Sequence, residues 1–441
     1  MTAAPGAVCH AAVLDQARTR LLLVRCGGQW ALPAVTVDGP WFETGQVAEA
    51  LRAQTRTDVF LQRCLLGDDN LAPAPERLYA GQALDRPAET ADRRWFDLTD
   101  LPSLPGAPSD APRVVRAWIA GDLGGQDWER PDWLDEVTAF LTARLGHDPG
   151  RPRQLRTWPR SSVWRVRLPS PLIFKASPAV FADEGTVGDT LARLFPGSFP
   201  AVLGHDPDHR WVLMEELAGR PLTDCPLPQW QTALESFAAL QIEAVGLRDE
   251  LLRAGCPDLG ISRLRKWTAE LLGPAGPVDS GKVAGLSPGE AAALMSRSGE
   301  FDRAWRRLAA FGVPETLQHG DFRPGHIVVD RDTPRFFDLS DAAVSHPFFS
   351  AVTLLDFEPV PGTAQQADDL RASYLRPWAA AYPHADVEAA FEAARPLAVL
   401  HAALVRWFRL LPAVTPREKW EFMVPYWLRR LPNPPSHPSS G

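Results

Sequence analysis

The chain has 441 residues, of which 45% are apolar and 23% charged, with a formal net charge of -8. That length exceeds what one hydrophobic core usually supports, so two domains are expected. The acidic balance argues against a general nucleic-acid binder, and no apolar run approaches the roughly 18 residues of a membrane span.

Met1-Thr2-Ala3-Ala4-Pro5 lacks the basic start and apolar core of a signal peptide, so a cytoplasmic location is expected. Five cysteines, Cys9, Cys26, Cys64, Cys225 and Cys256, are scattered without C-x-x-C spacing, which speaks against a zinc ribbon or a disulfide framework. Only Lys175, Lys266, Lys282 and Lys419 are lysines; positive charge is otherwise written as arginine. A lysine inside an apolar strand, as Lys175 is, suggests a compact ammonium wanted at that place.

In chain order, Ala7 to Leu14 and Arg20 to Val24 read as strands joined by a polar turn. Trp30-Ala31-Leu32-Pro33 follows, then a helical stretch from about Gly45 to Thr57, and later Arg94-Trp95-Phe96 leading to Leu101-Pro102. This order resembles the Nudix family. In that family a run of glutamates on the helix holds magnesium against a diphosphate, whereas here the corresponding pairs are Leu51-Arg52 and Thr55-Arg56, with Glu43 as a lone survivor. Arginines repel the metal that carboxylates would bind, so an interaction or ligand-sensing unit is expected rather than a hydrolase. Arg52 and Arg56, four apart, share a helix face that can meet an anion or simply be solvated.

A glycine-rich join at Gly121 to Gly125 marks a boundary, and a helix with an acidic first turn follows Pro131. Three short antiparallel strands are expected at Gln154 to Trp158, Ser161 to Leu168 and Leu172 to Ala176. Lys175 ends the third, and Glu184 lies nine residues on in a helical segment, a spacing that suits an ion pair. Trp211 to Glu215 reads as an apolar strand running into an acidic, glycine-bearing connection, as a hinge would, with backbone near Glu215 and Leu217 open to an adenine edge.

Helices are expected at Gln229 to Val245, Ser262 to Leu272, Pro288 to Phe311, Ala367 to Tyr382, Val387 to Arg409 and Arg417 to Leu431. The proline- and serine-rich tail at 433–441 reads as disordered. Between these helices lies His319-Gly320-Asp321, four residues, His326, a β-branched strand, and Phe336-Phe337-Asp338. A polar turn entering a strand, with a second carboxylate delivered one apolar run later, brings three base-capable or metal-capable side chains near one point.

Residues from about 127 to 432 thereby resemble the aminoglycoside phosphotransferase and choline kinase-like family, relatives of the protein kinases. The fold this implies is α+β: a Nudix-like domain over 1–125, then a bilobal kinase-like domain over 127–432 with a small β-rich lobe at about 150–222 and a large helical lobe at about 223–432. The activity implied is transfer of the γ-phosphoryl group of ATP or GTP to a hydroxyl of a small molecule. Asp321 would be the catalytic base, and Ser161, Ser162, Lys175, Glu184, Glu215 and Leu217 would bind nucleotide. His326 and Asp338 would hold magnesium, and His319 would buttress the loop.

Two departures stand out. His326 occupies the family's asparagine position, and imidazole nitrogen suits manganese better than magnesium. Ser350 stands where the family has an aspartate anchoring the catalytic loop, so a hydroxyl must hold the loop backbone without charge assistance. A catalytically weak or inactive nucleotide-binding regulatory module is the alternative reading, and diphosphate hydrolysis by the first domain a remote third. No membrane or nucleic-acid partner is expected, whereas the Nudix-like domain offers a surface for a protein partner. Asp356, Glu358, Asp368 and Asp369 would suit a cationic acceptor or serve as solvated faces.

Overall fold

A computed structural model of the chain describes every residue except 1–5, 69–73, 87, 101–106, 131, 152, 415–416 and 433–441; the expected Leu101-Pro102 terminus and the expected disordered tail lie outside the described residues. Contacts divide the chain into two compact units: residues 1–178 with 203–216, and residues 179–202 with 217–441.

The first unit contains two sheets. Seven strands, β1 (Ala7–Leu14), β2 (Arg20–Cys26), β3 (Gln29–Ala31), β4 (Ala34–Val37), β5 (Val59–Leu66), β6 (Glu76–Ala83) and β7 (Arg93–Asp97), form a mixed sheet of order β3-β2-β1-β6-β5, with β4 on β1 and β7 on β2. β1 and β6 run parallel, in register from Val8 with Glu76 to Leu14 with Gln82. Both are almost wholly buried, as a central strand covered on two faces must be. The covering helices are α1 (Thr44–Thr55), through Val47 and Leu51, and α2 (Ala111–Ile119), through Val114, Val115 and Trp118.

The second sheet is a five-stranded antiparallel one, order β11-β12-β10-β9-β8, built from β8 (Arg153–Trp158), β9 (Ser161–Val166), β10 (Leu172–Ala176), β11 (Val202–Asp206) and β12 (Trp211–Glu215). The helix α3 (Trp133–Leu145) joins the two sheets through an aromatic core in which Trp133 and Trp164 cross edge-to-face at 5.2 Å and Phe60 meets Trp164 at 4.7 Å. Such rings bury much apolar area and prefer this geometry. A polar stitch adds register: Gln154 accepts from the Leu61 N–H at 2.9 Å and donates to the Leu61 carbonyl at 2.5 Å. Gly45 lets α1 approach β8, because a Cβ there would lie 2.4 Å from the Gln154 carbonyl oxygen.

The second unit is helical, with α4 (Glu184–Leu194), α5 (Leu227–Ala244), α6 (Arg248–Arg253), α7 (Ile261–Leu272), α8 (Pro288–Ser296), α9 (Ser298–Ala310), α10 (Phe348–Asp356), α11 (Ala364–Ala381), α12 (Val387–Val405) and α13 (Met423–Leu428). Trp305, Trp378, Tyr374 and Phe237 are fully buried among them. Three expectations change here. The helix expected from Pro288 to Phe311 is two, divided at Arg297. α12 runs only to Val405, where a π-helical turn takes over through Leu410. The helix expected from Arg417 to Leu431 is a single turn at Arg417–Lys419 and a short helix at Met423–Leu428, since Pro425 has no N–H and is tolerated only near a helix start. Among the described residues no helix is long and apolar enough to cross a membrane.

Small β elements thread this unit: β13 (Arg220–Pro221) beside β15 (Ile327–Asp330) and β16 (Thr333–Phe336), and β14 (Thr316–Gln318) paired with β17 (Ala343–Ser345). The Gln154 stitch gives a direct test. Gln154→Ala leaves a buried N–H and a buried carbonyl unpaired and is expected to lower stability by about 2 kcal/mol in urea denaturation, with the spectrum of the folded state retained.

Candidate active site

The site begins where β14 ends. Antiparallel pairing of Leu317 with Val344 draws the segments after β14 and before β17 alongside each other. Gln241, fully buried on α5, fixes β14: its amide donates to the Leu317 carbonyl at 2.7 Å and to the Pro347 carbonyl at 3.3 Å. The Tyr374 hydroxyl donates to Gln241 Oε1 at 2.6 Å, and the Thr316 hydroxyl donates to the Gln241 carbonyl at 2.8 Å.

His319 follows, fully buried. Its backbone N–H donates to the Ser350 hydroxyl at 3.1 Å, and its ring Nε2 donates to the Phe337 carbonyl at 2.9 Å. Ser350 thus holds the loop as the sequence reading expects of a hydroxyl. Burial, followed by the proximity of His326, pushes the His319 pKa down to about 4, so it is a neutral brace between two backbones. Gly320 has φ +83°, and a Cβ there would lie 2.0 Å from the Asp341 carbonyl oxygen, so only glycine permits this approach. Phe322 then stacks on Phe237 at 4.1 Å, and Arg323 Nε donates to Glu358 at 2.8 Å.

Between these anchors Asp321 is left partly exposed. His326 Nδ1 lies 2.9 Å from the Asp321 carbonyl oxygen, and a carbonyl only accepts, so Nδ1 carries the proton. Nε2 faces Asp338 Oδ2 at 3.5 Å, while Asp321 Oδ2 lies 3.7 Å from Nδ1. A proton or a divalent cation between Nε2 and the Asp338 carboxylate would satisfy both groups. Asp338 itself has φ 63° and ψ 64°, a left-handed conformation uncommon outside glycine, and Ser340 Oγ donates to its Oδ1 at 3.0 Å. The structure therefore gathers Asp321, His326 and Asp338.

Glu184 is buried at the start of α4 and accepts from the Leu339 N–H at 3.0 Å, next to Asp338, a link absent from the sequence reading. Ala182 N–H donates to the Ser340 carbonyl at 2.8 Å, a second tie to the same turn. In the first unit, Lys175 lies buried in β10 opposite Val163 and Val212, and Glu215 ends β12. Ser161 Oγ accepts from the Trp158 indole at 2.9 Å, and Ser162 Oγ from the Trp164 indole at 3.0 Å, so both hydroxyls brace the β8–β9 hairpin. Leu217 opens the helical unit's long segment.

The acidic residues weighed for a cationic acceptor are already engaged. Glu358 pairs with Arg323, Asp356 with Arg395, Asp368 with Arg371, and Asp369 accepts from Gln365. Gln241 was missed in the sequence although one signal marks it: it continues the buried stripe of Leu234, Phe237 and Ala244 on α5, a polar residue on an apolar face.

Among the described residues no group of three or more His, Cys, Asp and Glu side chains is arranged as a metal cage. The donor chemistry of the three-residue cluster nonetheless fits a divalent cation that takes few ligands from protein. Magnesium bound beside phosphates commonly keeps waters and uses one or two carboxylates.

A β-rich sheet and a helical body carrying a braced loop with two carboxylates define the protein kinase-like class of phosphotransferases. The chain belongs to the phosphotransferase enzyme family, whose model matches residues 144–384, more than half its length. It is accordingly an enzyme of the small-molecule kinase class. Similar solved structures include a choline/ethanolamine kinase family protein from Mesorhizobium loti, 16% identical, covering 68% of this chain and 95% of that one with a TM-score of 0.42. An ethanolamine kinase of Plasmodium vivax is 10% identical over 75% of this chain and 96% of its own, TM-score 0.47. An aminoglycoside phosphotransferase from Streptomyces rimosus, solved with ADP and streptomycin, is 19% identical over 58% and 98%, TM-score 0.37. None of the curated proteins compared with the chain matches it.

The frame of the site carries its own pH dependence. His346 and His401, buried beside Phe349, have pKa values held at about 3 by burial. Both are neutral when folded and take up protons only when unfolded as pH falls below about 6.5. Stability is therefore full above that pH and is lost on acidification, by about 2 kcal/mol for each imidazole at pH 5. Urea midpoints between pH 7 and 5 check this, and His401→Gln is expected to flatten the slope.

Proposed function

We propose that the enzyme transfers the γ-phosphoryl group of ATP or GTP to a hydroxyl of a small molecule at the Asp321–His326–Asp338 cluster. The observation that carries this is the convergence of His326 Nε2 and the Asp338 carboxylate, 3.5 Å apart, beside a partly exposed Asp321. Asp321 orients the acceptor hydroxyl and takes its proton, the task of a local carboxylate base. His326 donates to the Asp321 backbone and so fixes the loop that carries the base. Asp338 and His326 Nε2 hold a divalent cation, which when bound neutralises phosphate charge. Lys175 adds a cation for nucleotide phosphates, and backbone at Glu215 and Leu217 bonds the base. A nitrogen donor in place of an amide favours manganese over magnesium. On the same proposal residues 1–125 form a Nudix-like domain without the hydrolase's carboxylates.

The same 3.5 Å approach of His326 Nε2 to Asp338 also suits a catalytically weak or inactive nucleotide-binding module, in which the imidazole and the carboxylate satisfy each other in the cation's place. The two readings separate by substitution. His326→Asn is expected to raise turnover with magnesium and to narrow the preference for manganese, read by ADP release with a panel of sugars, amino alcohols and aminoglycosides. A fall in turnover with both metals would assign the imidazole an indispensable role.

Asp321→Asn tests the base. Turnover is expected to fall at least about 100-fold. Affinity for Mn-ATP, measured by calorimetry, should stay within about threefold of the parent, because the residue acts on the acceptor rather than on the nucleotide. Retained turnover would overturn the assignment.

A further inference from the structure

The mixed sheet of the first unit carries a cleft of about 600 Å³, well apart in sequence from every residue of the phosphotransfer site. That volume suits a small organic ligand rather than a simple ion. Val24, Ala31 and Leu32 give it apolar walls, and Arg25, Arg56 and Arg93 line it.

Many arginines of this chain meet carboxylates, and among the described residues these three guanidinium groups do not. Arg52, the neighbour of Arg56 on α1, is paired with Asp58 at 2.9 Å. Arg25 donates through Nε to the Gly28 carbonyl at 3.3 Å and lies over Trp30. Arg93 donates to the Thr55 and Ala88 carbonyls. Arg56 caps α1 with a left-handed backbone, its side chain exposed. None of the three has an ion pair among the described residues. One carboxylate, Asp92, also lines the cleft, which leaves an excess of two positive charges.

A second, independent feature points to a ligand. His10, on β1, lines the cleft and is only 6% exposed, yet its Nε2 has no hydrogen-bond partner among the described residues. A buried polar atom left unmatched is costly, and a polar ligand atom would satisfy it. Burial lowers the His10 pKa, so the ring is neutral and offers a hydrogen bond rather than charge.

We propose that this cleft binds a small organic dianion, its charged head held directly by guanidinium groups without a metal ion and its apolar body against Val24 and Leu32. Guanidinium forks match phosphate and carboxylate oxygens alike, so a phosphate monoester and a dicarboxylate share the required chemistry. The site does not depend on phosphotransfer: no residue of that reaction lines it.

Cys26 supplies a local readout, because it lines the cleft and is the exposed one of the five cysteines. The full chain is titrated with 4-methylumbelliferyl phosphate, with phthalate, and with neutral 4-methylumbelliferone, in EDTA and with AMP-PNP present. At least one dianion is expected to bind about tenfold more tightly than the neutral parent, and to slow the reaction of Cys26 with a disulfide reagent severalfold at saturation. Phosphate binding identifies a phosphoester site and phthalate binding a dicarboxylate site.

Arg56→Gln, whose side chain supports no other described group, is expected to weaken dianion binding about tenfold while the melting temperature holds. Equal binding of the neutral parent would overturn the proposal. So would unprotected Cys26, loss of binding in EDTA, or dianion binding indifferent to Arg56→Gln. Phosphotransferase turnover, assayed separately, stays at the parent value in Arg56→Gln, so failure here leaves the reading of the active site untouched.

Discussion

The helical unit depends on one constraint: a three-residue ladder between β14 and β17 has to be held while the loops on either side of it carry charge. Strands this short cannot hold themselves. The Gln241 amide, the Tyr374 and Thr316 hydroxyls and the backbones of Leu317 and Pro347 make up the difference with a buried, mutually satisfied set of hydrogen bonds. Everything chemical is suspended from that bracket. Asp321 comes three residues after β14, and Asp338 a few residues before β17, so fixing the ladder fixes the separation of the two carboxylates.

Around the bracket the loop is built from substitutes for covalent rigidity. Glycine at 320 lets the backbone pass against Asp341, Phe322 pins one side to Phe237, and His319 bridges to Phe337. Glu184 and Ala182 tie the Asp338 turn to the start of α4. A turn that keeps Asp338 left-handed stores backbone strain, which such a dense set of bonds can sustain.

Much of this was legible in the sequence because it is local. The His-Gly-Asp triplet, the β-branched strand after it and the apolar run before Asp338 each announce a turn or a strand within a few residues. The order of strands at 153–176 was readable for the same reason. What the sequence hid is non-local: the Gln154 stitch spans 93 residues, the Glu184 to Leu339 bond 155, and Gln241 reaches β14 across 76. Helix ends were misjudged where one residue outweighs a periodic pattern, at Arg297 and at Pro425. The aromatic core that merges α3 with both sheets was equally hidden, since Trp133, Phe60 and Trp164 lie on three elements with no common period.

The bracket has one further property. Gln241, Tyr374, Thr316 and Ser350 carry no charge in neutral solution, and burial keeps the Tyr374 hydroxyl protonated far into the alkaline range. Salt neither screens such a framework nor competes with it. A bracket with no charged member keeps its hydrogen bonds from neutral to strongly alkaline solution. A profile of turnover against pH from neutral upward consequently reports the reacting groups rather than the bracket that presents them, whereas on the acid side the buried His346 and His401 add their own proton uptake on unfolding.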